Sequence, residues 1–320
     1  MRSSLTGKSV LITGANGGIG YATCRQVLRH APRKLTLACR SQFQADECKI
    51  KLNTLNFSKT PLDAVGGFEM TSDRQLKRVV SSLDAKHKFD VVFVQAGGAF
   101  FDKKFRFIKA REGQIEQTVF QNAIGGYLLV RYLLEHRLLS KKARIVFAGG
   151  EGARGVRPLI KKQSFHSIEN LKAYIETGAG QKYNPLDAIG VSKLVSALIS
   201  LKLASIDSGR EYVWFSPGLT GGTYGLDHWA GLQKYISKYL VFPIAAAFGL
   251  AQPPRKAAGK CLLALAGEIG RSGDLIGAPE TKALGQLCDQ KPMNPDFTNQ
   301  RLRDEFFIYL QRQFGSFPNI

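Results

Sequence analysis

The chain has 320 residues, 44% of them hydrophobic, enough for one large core or for two domains with one dominant. Forty-five Lys and Arg against 25 Asp and Glu leave a formal charge of +20, which suits an anionic ligand, an anionic surface or simply a solvated basic exterior. No zinc-finger spacing and no arginine-rich tail accompanies that charge, so nucleic acid is not expected as a partner.

KSVLITG (8–14) is an apolar strand ending in glycine, and GIGYATCRQVLRHA (18–31) is a helix that begins in glycines. KLTLACR (34–40) is the second strand and GFEM (67–70) the third, followed by a helix over 72–87 with Ser72 as its cap. FDVVFVQAGG (89–98) is a buried strand, 113–138 a long helix and ARIVFAGG (143–150) a fifth strand. LDAIGVSKLVSALISLKLASID (186–207), with Asp187 as its expected cap, is a second long helix, and EYVWFSPG (211–218) is the sixth strand. The tail, 296–314, reads as one amphipathic helix whose apolar stripe serves packing.

Strands and helices alternate, and the strands are continuous apolar runs. The fold class is therefore α/β, a Rossmann-type doubly wound parallel sheet covered on both faces, in a single domain over 1–320. Two segments break the rhythm: an insertion at 151–185, expected over the active site, and 217–255, expected to form a substrate-binding loop and lid. Both leave the carboxyl ends of strands, where open α/β sheets bind ligands.

The five cysteines (Cys24, Cys39, Cys48, Cys261 and Cys288) are odd in number and show no CxxC. With no signal-peptide pattern, they fit a reducing, cytoplasmic setting. The longest apolar run, 239–251, holds a proline and is too short to span a bilayer. Apolar residues mixed with Lys234 and Lys238 leave three readings for its neighbourhood: a large pocket or lid, core or dimer packing, or peripheral membrane contact. FDKKFRFIKAR (101–111) interleaves five cations with aromatics near the same edge, which would attract an acidic substrate or acidic lipid, or form a solvated loop anchored by its phenylalanines.

TGANGGIG (13–20) sits between a strand and a helix, the context that gives such a stretch meaning. Gly14 makes a tight turn, Gly18 lets backbone approach a phosphate, Gly20 lets the helix pack closely, and the helix amino end offers N–H groups to a pyrophosphate. At the end of the second strand stands Arg40, with Ser41 beside it, where an acidic residue would hold a ribose 2′-hydroxyl. A cation there favours a 2′-phosphate, hence NADP(H). Glu69 is placed near the adenine, and Ala96, Gly97 and Gly98 leave room for the cofactor.

Together with QAGG (95–98), Asn122 in the long helix, Lys193 and PGLTGGT (217–223), these residues resemble the short-chain dehydrogenase/reductase family over nearly the whole chain. Within it the sequence looks most like the branch of light-dependent protochlorophyllide reductase and the retinol-dehydrogenase-like reductases. The resemblance implies a cofactor set of Thr13, Gly14, Asn16, Gly18, Ile19, Gly20, Arg40, Ser41, Glu69, Ala96, Gly97, Lys193, Pro217, Gly218 and Thr220, with Thr223 an alternative to Thr220. It implies that Asn122 holds a water in a proton relay, that Lys193 binds the nicotinamide ribose, and that the assembly is a homodimer or homotetramer. It also calls for a tyrosine where Ile189 stands and a serine at about Gly150. The two hydroxyls that handle the proton in carbonyl reduction are absent.

Replacement donors would be Glu151, just past the fifth strand, or Tyr183, upstream of the helix and separated from it by Pro185. His166 and Tyr174 on the insertion are further candidates. The expected activity is an atypical NADP(H)-dependent reductase acting on a bulky apolar small molecule, acidic or neutral, with a non-redox cyclase or isomerase and a non-catalytic NADP(H)-binding protein as alternatives. No metal site is read from the sequence.

Overall fold

A computed structural model describes residues 5–101, 104–156, 160–221 and 251–318. Eight strands form the main sheet: β1 (Ser9–Thr13), β2 (Lys34–Ala38), β3 (Leu62–Val65), β4 (Phe89–Val94), β7 (Leu139–Ala148), β8 (Glu211–Phe215), β9 (Leu275–Gly277) and β10 (Cys288–Asp289). Their spatial order is β10-β9-β8-β7-β4-β1-β2-β3, and every pairing is parallel except that of β10 with β9. The order runs outward from β1 in both directions, so ligand space opens at the switch point beyond the carboxyl ends of β1 and β4.

Strand periodicity sends alternate side chains to opposite faces, and both faces are covered. Val10 and Ile12 join Cys24 and Val27 of α1 (Gly18–Leu28), Ala45 and Cys48 of α2 (Gln42–Asn53) and Ala264 of α8 (Pro254–Leu265). Leu11 joins Leu76 of α3 (Asp73–Ser81), Leu128 of α5 (Gly125–Glu135), Leu194 and Leu198 of α7 (Pro185–Ile206) and Phe306 of α10 (Gln300–Phe314). Full burial of each large aliphatic or aromatic side chain is worth about 1.5–3 kcal/mol. Among the described residues α7 is the helix long and apolar enough to cross a membrane, yet two thirds of its apolar window is packed inside this core.

Several boundaries differ from the sequence expectation. The third strand is LDAV at Leu62–Val65, and GFEM is the loop after it. A Cβ on Gly66 would lie 2.2 Å from Gln42 N, and Gly67 turns at φ +93°, so the chain leaves the sheet there. The long helix does not begin at 113. Gln114–Glu116 (β6) pairs with Phe107–Lys109 (β5) in a separate antiparallel hairpin, and the helix starts at Gln117 (α4, Gln117–Val119) under a Glu116 cap. A π-turn at Phe120–Ile124 interrupts it before α5. Asn184, not Asp187, caps α7, with Pro185 as its first residue; Asp187 instead accepts from Lys161 N at 3.0 Å.

The tail is two helices, α9 (Pro295–Thr298) and α10, with Phe297, Leu302, Phe306, Phe307 and Leu310 buried as its stripe implies. The insertion carries a 3-10 turn at Glu151–Arg154 and a helix, α6 (Ile168–Thr177), whose Leu171, Tyr174 and Ile175 belong to the main core. Buried Asp296 ties it to the tail by accepting from Ser164 Oγ, Phe165 N and His166 N. Of the lid expected at 217–255, residues 222–250, with Thr223, Lys234 and Lys238, lie outside the described residues.

Candidate active site

The glycine loop is built by backbone sterics. Gly14 stands at φ +64°, where a side chain would be strained, and its N–H donates to Ala38 O at 2.8 Å. A Cβ on Gly20 would lie 2.1 Å from Gly14 O, so only glycine lets α1 approach the loop this closely. Gly17 caps α1 without any side-chain hydrogen bond, and Asn16, Gly17, Gly18 and Ile19 are all half-exposed. A half-exposed helix amino end without a side-chain cap suits a pyrophosphate. Thr13 works on the other side: its hydroxyl accepts from Gln95 N and Ala96 N at 2.8 and 2.9 Å and donates to Phe93 O, locking the loop after β4 to β1. The Gln95 carboxamide, oriented to pair its nitrogen with carbonyls, donates to Thr13 O and Gly14 O.

The ribose end follows β2. Arg40 is exposed and makes no ion pair with the described residues, whereas Ser41 is committed to a capping box with Gln44 at the start of α2. Glu69 accepts from Thr71 N and Thr71 Oγ1, which fixes its carboxylate just past β3.

Asn122 occupies the π-turn. Its Nδ2 donates to Gly98 O at 2.9 Å and to Ser192 Oγ at 3.0 Å, while its Oδ1 accepts from Gly98 N at 2.8 Å. Gly97 must lack a side chain, because a Cβ there would lie 2.3 Å from Asn122 Oδ1. π-turns recur at functional positions because they re-aim one side chain without ending the helix. Ser192, buried and donating to Ile189 O, is a member of this network that sequence reasoning missed. No residue type or spacing signals it, since serine in an apolar helix is commonplace.

Lys193 and Gly150 meet. Lys193 Nζ donates to Ala148 O at 2.7 Å, and a Cβ on Gly150 would lie 3.2 Å from Lys193 Cγ. The lysine stem leans across the place a serine side chain would use. Gly150 itself is extended (φ −178°), so its backbone would accept any residue. Behind it, Gly152 packs directly on Gly190: a Cβ on Gly190 would sit 2.8 Å from Gly152 O, so the turn and α7 touch through backbone. Ile189 is half-buried one residue before that contact.

Desolvation pushes the Lys193 pKa from its ordinary 10.5 down to about 8, and the nearby negative charge of Glu151 pulls it partly back up. The folded value lies below the unfolded one, so between roughly pH 8 and 10.5 the unfolded chain binds more protons and stability rises with pH. Lys193→Met should flatten that rise. Chemical denaturation at pH 7.5, 9 and 10.5 measures it, and an unchanged slope in the variant would remove Lys193 as its source.

The candidate donors are placed differently from one another. Glu151 is buried, with both carboxylate oxygens 2.7 Å from Ser216 Oγ and Oε1 accepting from Ala278 N at 3.1 Å, so it braces the loop that begins at Pro217. Tyr183 is buried outside α7. Its hydroxyl donates to Phe100 O at 2.8 Å and lies 3.4 Å from Thr118 Oγ1, and its ring meets Phe105 edge-on at 5.0 Å. His166 is exposed, and Tyr174 is a buried packing residue whose pKa is raised by burial. Pro217 and Gly218 follow Ser216. Pro217 O accepts from Gln252 Nε2 and Lys260 Nζ, Gly218 turns at φ +100°, and Thr220 Oγ1 donates to Gly218 O.

Among known proteins, a short chain dehydrogenase family model matches residues 8–158. Mouse (Mus musculus) retinol dehydrogenase 12 is 27% identical over 202 residues, which cover 62% of this chain and 57% of that protein; the match thus spans little more than half the relative's length. A short chain dehydrogenase of Arthrobotrys oligospora is 25% identical over 300 residues, 90% of this chain and 88% of that one. In structure, a 3-ketoacyl-(acyl-carrier-protein) reductase from Brucella melitensis complexed with NADH superposes with a TM-score of 0.55 at 17% identity, covering 84% of this chain and 96% of that one. With the glycine loop, the strand order and the residues after β4, β7 and β8 in place, the chain is similar to the short-chain dehydrogenases through residues 8–158, with retinol dehydrogenase 12 among its relatives.

Proposed function

We propose that the protein is an NADP(H)-dependent reductase for a bulky apolar substrate, working without the tyrosine and serine that ordinarily handle the proton. The observation that carries this reading is the asymmetry of the site. The glycine loop and the uncapped amino end of α1 suit a dinucleotide, while Ile189 and Gly150 offer no hydroxyl and Lys193 lies across the vacated space. The glycine loop, the amino end of α1 and Arg40 fit the phosphates. When bound, the nicotinamide supplies hydride chemistry. Lys193 orients the nicotinamide ribose, Asn122 keeps the Gly97–Gly98 backbone open, and Glu151 holds the Pro217 loop through Ser216.

The missing acid narrows the reaction. Hydride transfer to a ketone collects negative charge on one oxygen, and loss of general acid catalysis alone costs about 10²–10⁴-fold. An activated C=C or iminium bond spreads or cancels that charge and tolerates the loss. NADPH oxidation with a panel of apolar enones, imines and ketones tests this: enones and imines should exceed ketones. NADPH binding without oxidation by any of them would favour the non-catalytic reading, for which the absent hydroxyls also speak. Product formed without net NADPH consumption would favour a cyclase or isomerase.

Cofactor choice rests on Arg40. A charge-assisted bond to a 2′-phosphate contributes roughly 1.5–3 kcal/mol, so Arg40→Asp should lower the NADPH over NADH preference by about 10- to 100-fold. Titration of protein fluorescence with each cofactor reads the ratio, and an unchanged ratio would leave Arg40 a surface residue.

A further inference from the structure

Lysines from three separate segments approach the amino end of α7, the side on which the proposed site has its mouth. Phe105 packs edge-on against Tyr183 and over Gly178, so the segment that carries Lys104 lies against the segment that carries Lys182. On the other side, Lys161 N donates to Asp187 at the first turn of α7, Ile160 packs on Gly190, and Lys162 abuts Gly155. All four lysines are exposed and none forms an ion pair with the described residues. The acid among them is Asp187, one oxygen of which already accepts from the Lys161 backbone. Leu186, 36% exposed, and half-buried Ile189 stand in the same first turn and a half of α7. Like charges gathered without partners repel one another and raise a positive field over the amino end of α7.

We propose that this mouth recognises an anionic amphiphile, a carboxylate or phosphate carried on an apolar body, with Lys104, Lys161, Lys162 and Lys182 receiving the anion and Leu186 and Ile189 meeting the apolar part. The inference rests on the reading that the amino end of α7 borders the substrate space, and it narrows the substrate from apolar to amphiphilic. Exposed lysines suit the task because a flexible point charge follows a mobile headgroup without a fixed fork geometry.

The test uses the full chain and three twelve-carbon probes, dodecanoate, dodecyl phosphate and dodecanol, each below its micellar concentration, with binding read by calorimetry. The two anions should bind about ten-fold or more tightly than the alcohol at low salt, and the difference should shrink as salt screens the rim. Lys104→Glu/Lys161→Glu/Lys182→Glu should abolish the preference. Lys86→Glu/Lys141→Glu/Lys142→Glu, an equal charge change toward the amino ends of the central strands β4 and β7, should keep it. If the rim triple variant does not fold, Lys182→Glu alone should reduce the preference about three-fold or more.

Equal binding of alcohol and anions, no binding of any probe, or equal loss in both triple variants would overturn the proposal. Phosphatidylserine vesicles separate the two sources of anion. Rim-dependent co-sedimentation that dodecanoate does not compete would make the rim a bilayer-docking surface and also overturn it. The two readings fail separately. Rim-dependent anion binding without NADPH oxidation by any carbonyl or enone sinks the reductase and leaves this inference standing. Oxidation that ignores both substrate charge and the rim does the reverse.

Discussion

Ile189→Tyr/Gly150→Ser should raise kcat/KM for NADPH-dependent reduction of a simple apolar ketone by about 10²–10⁴-fold, the range general acid catalysis supplies. Position 189 lies one helical turn before Lys193, so a phenol there shares a face with the lysine, whose charge would stabilise the phenolate and lower the phenol's pKa. Ile189 is half-buried, not enclosed, which leaves the larger ring somewhere to go. Serine at 150 would bring its Cβ within 3.2 Å of Lys193 Cγ, so the flexible lysine stem must give by a few tenths of an ångström, while its ammonium, one donor of which bonds Ala148 O, keeps others for the ribose. The two changes act as a unit, so Tyr alone should recover part of the gain and Ser alone almost none. Steady-state NADPH oxidation measures all three variants. A double variant that folds and binds NADPH yet gains nothing would show that more than two hydroxyls separate this site from ketone reduction.

Arg154→Met should cost about 1–3 kcal/mol of stability or more, the penalty for leaving buried acceptors without their donor. Arg154 is 4% exposed and donates to Gln290 Oε1 and to the carbonyls of Gly155, Ala278, Pro279, Glu280 and Lys282. Its guanidinium gathers the 278–282 turn under the Pro217 loop, which Leu219 N joins by donating to Ala283 O. Removing it leaves the Ala278 and Gly155 carbonyls and Gln290 Oε1, its buried acceptors, without this donor. Burial pushes the Arg154 pKa down and Glu151 opposes the shift, so the charge is held at a desolvation cost. Arg154→Lys keeps the charge but not the planar fork, and should fall between wild type and Met. Urea unfolding midpoints rank the three, and a Met variant within about 1 kcal/mol of wild type would refute the network's weight.

Sequence reading reached the sheet because its strands are continuous apolar runs closed by glycine. It reached the nucleotide end because glycine spacing encodes local backbone sterics. It misplaced the third strand: LDAV carries an aspartate and only four residues, and its pairing with β2 is a long-range event that pattern cannot report. The β5–β6 hairpin was hidden because FIK and QIE look like the ends of a basic loop and a long helix. Glu151 was noticed for its position, but its partners Ser216 and Ala278 lie 65 and 127 residues away. Arg154 gave no signal at all, since a buried arginine hub is defined entirely by carbonyls of another segment.

Asn122 bonds both backbone groups of Gly98 and the hydroxyl of Ser192, so the fold itself gives this residue a reason to persist. Its presence would survive the decay of an ancestral activity as readily as the retention of one. Positions 150 and 189 answer to no such architectural demand through their side chains. In any set of homologues, drift at 150 and 189 beside constancy at 122 is the pattern that would mark lineages in which the chemistry, and not the scaffold, was released from selection.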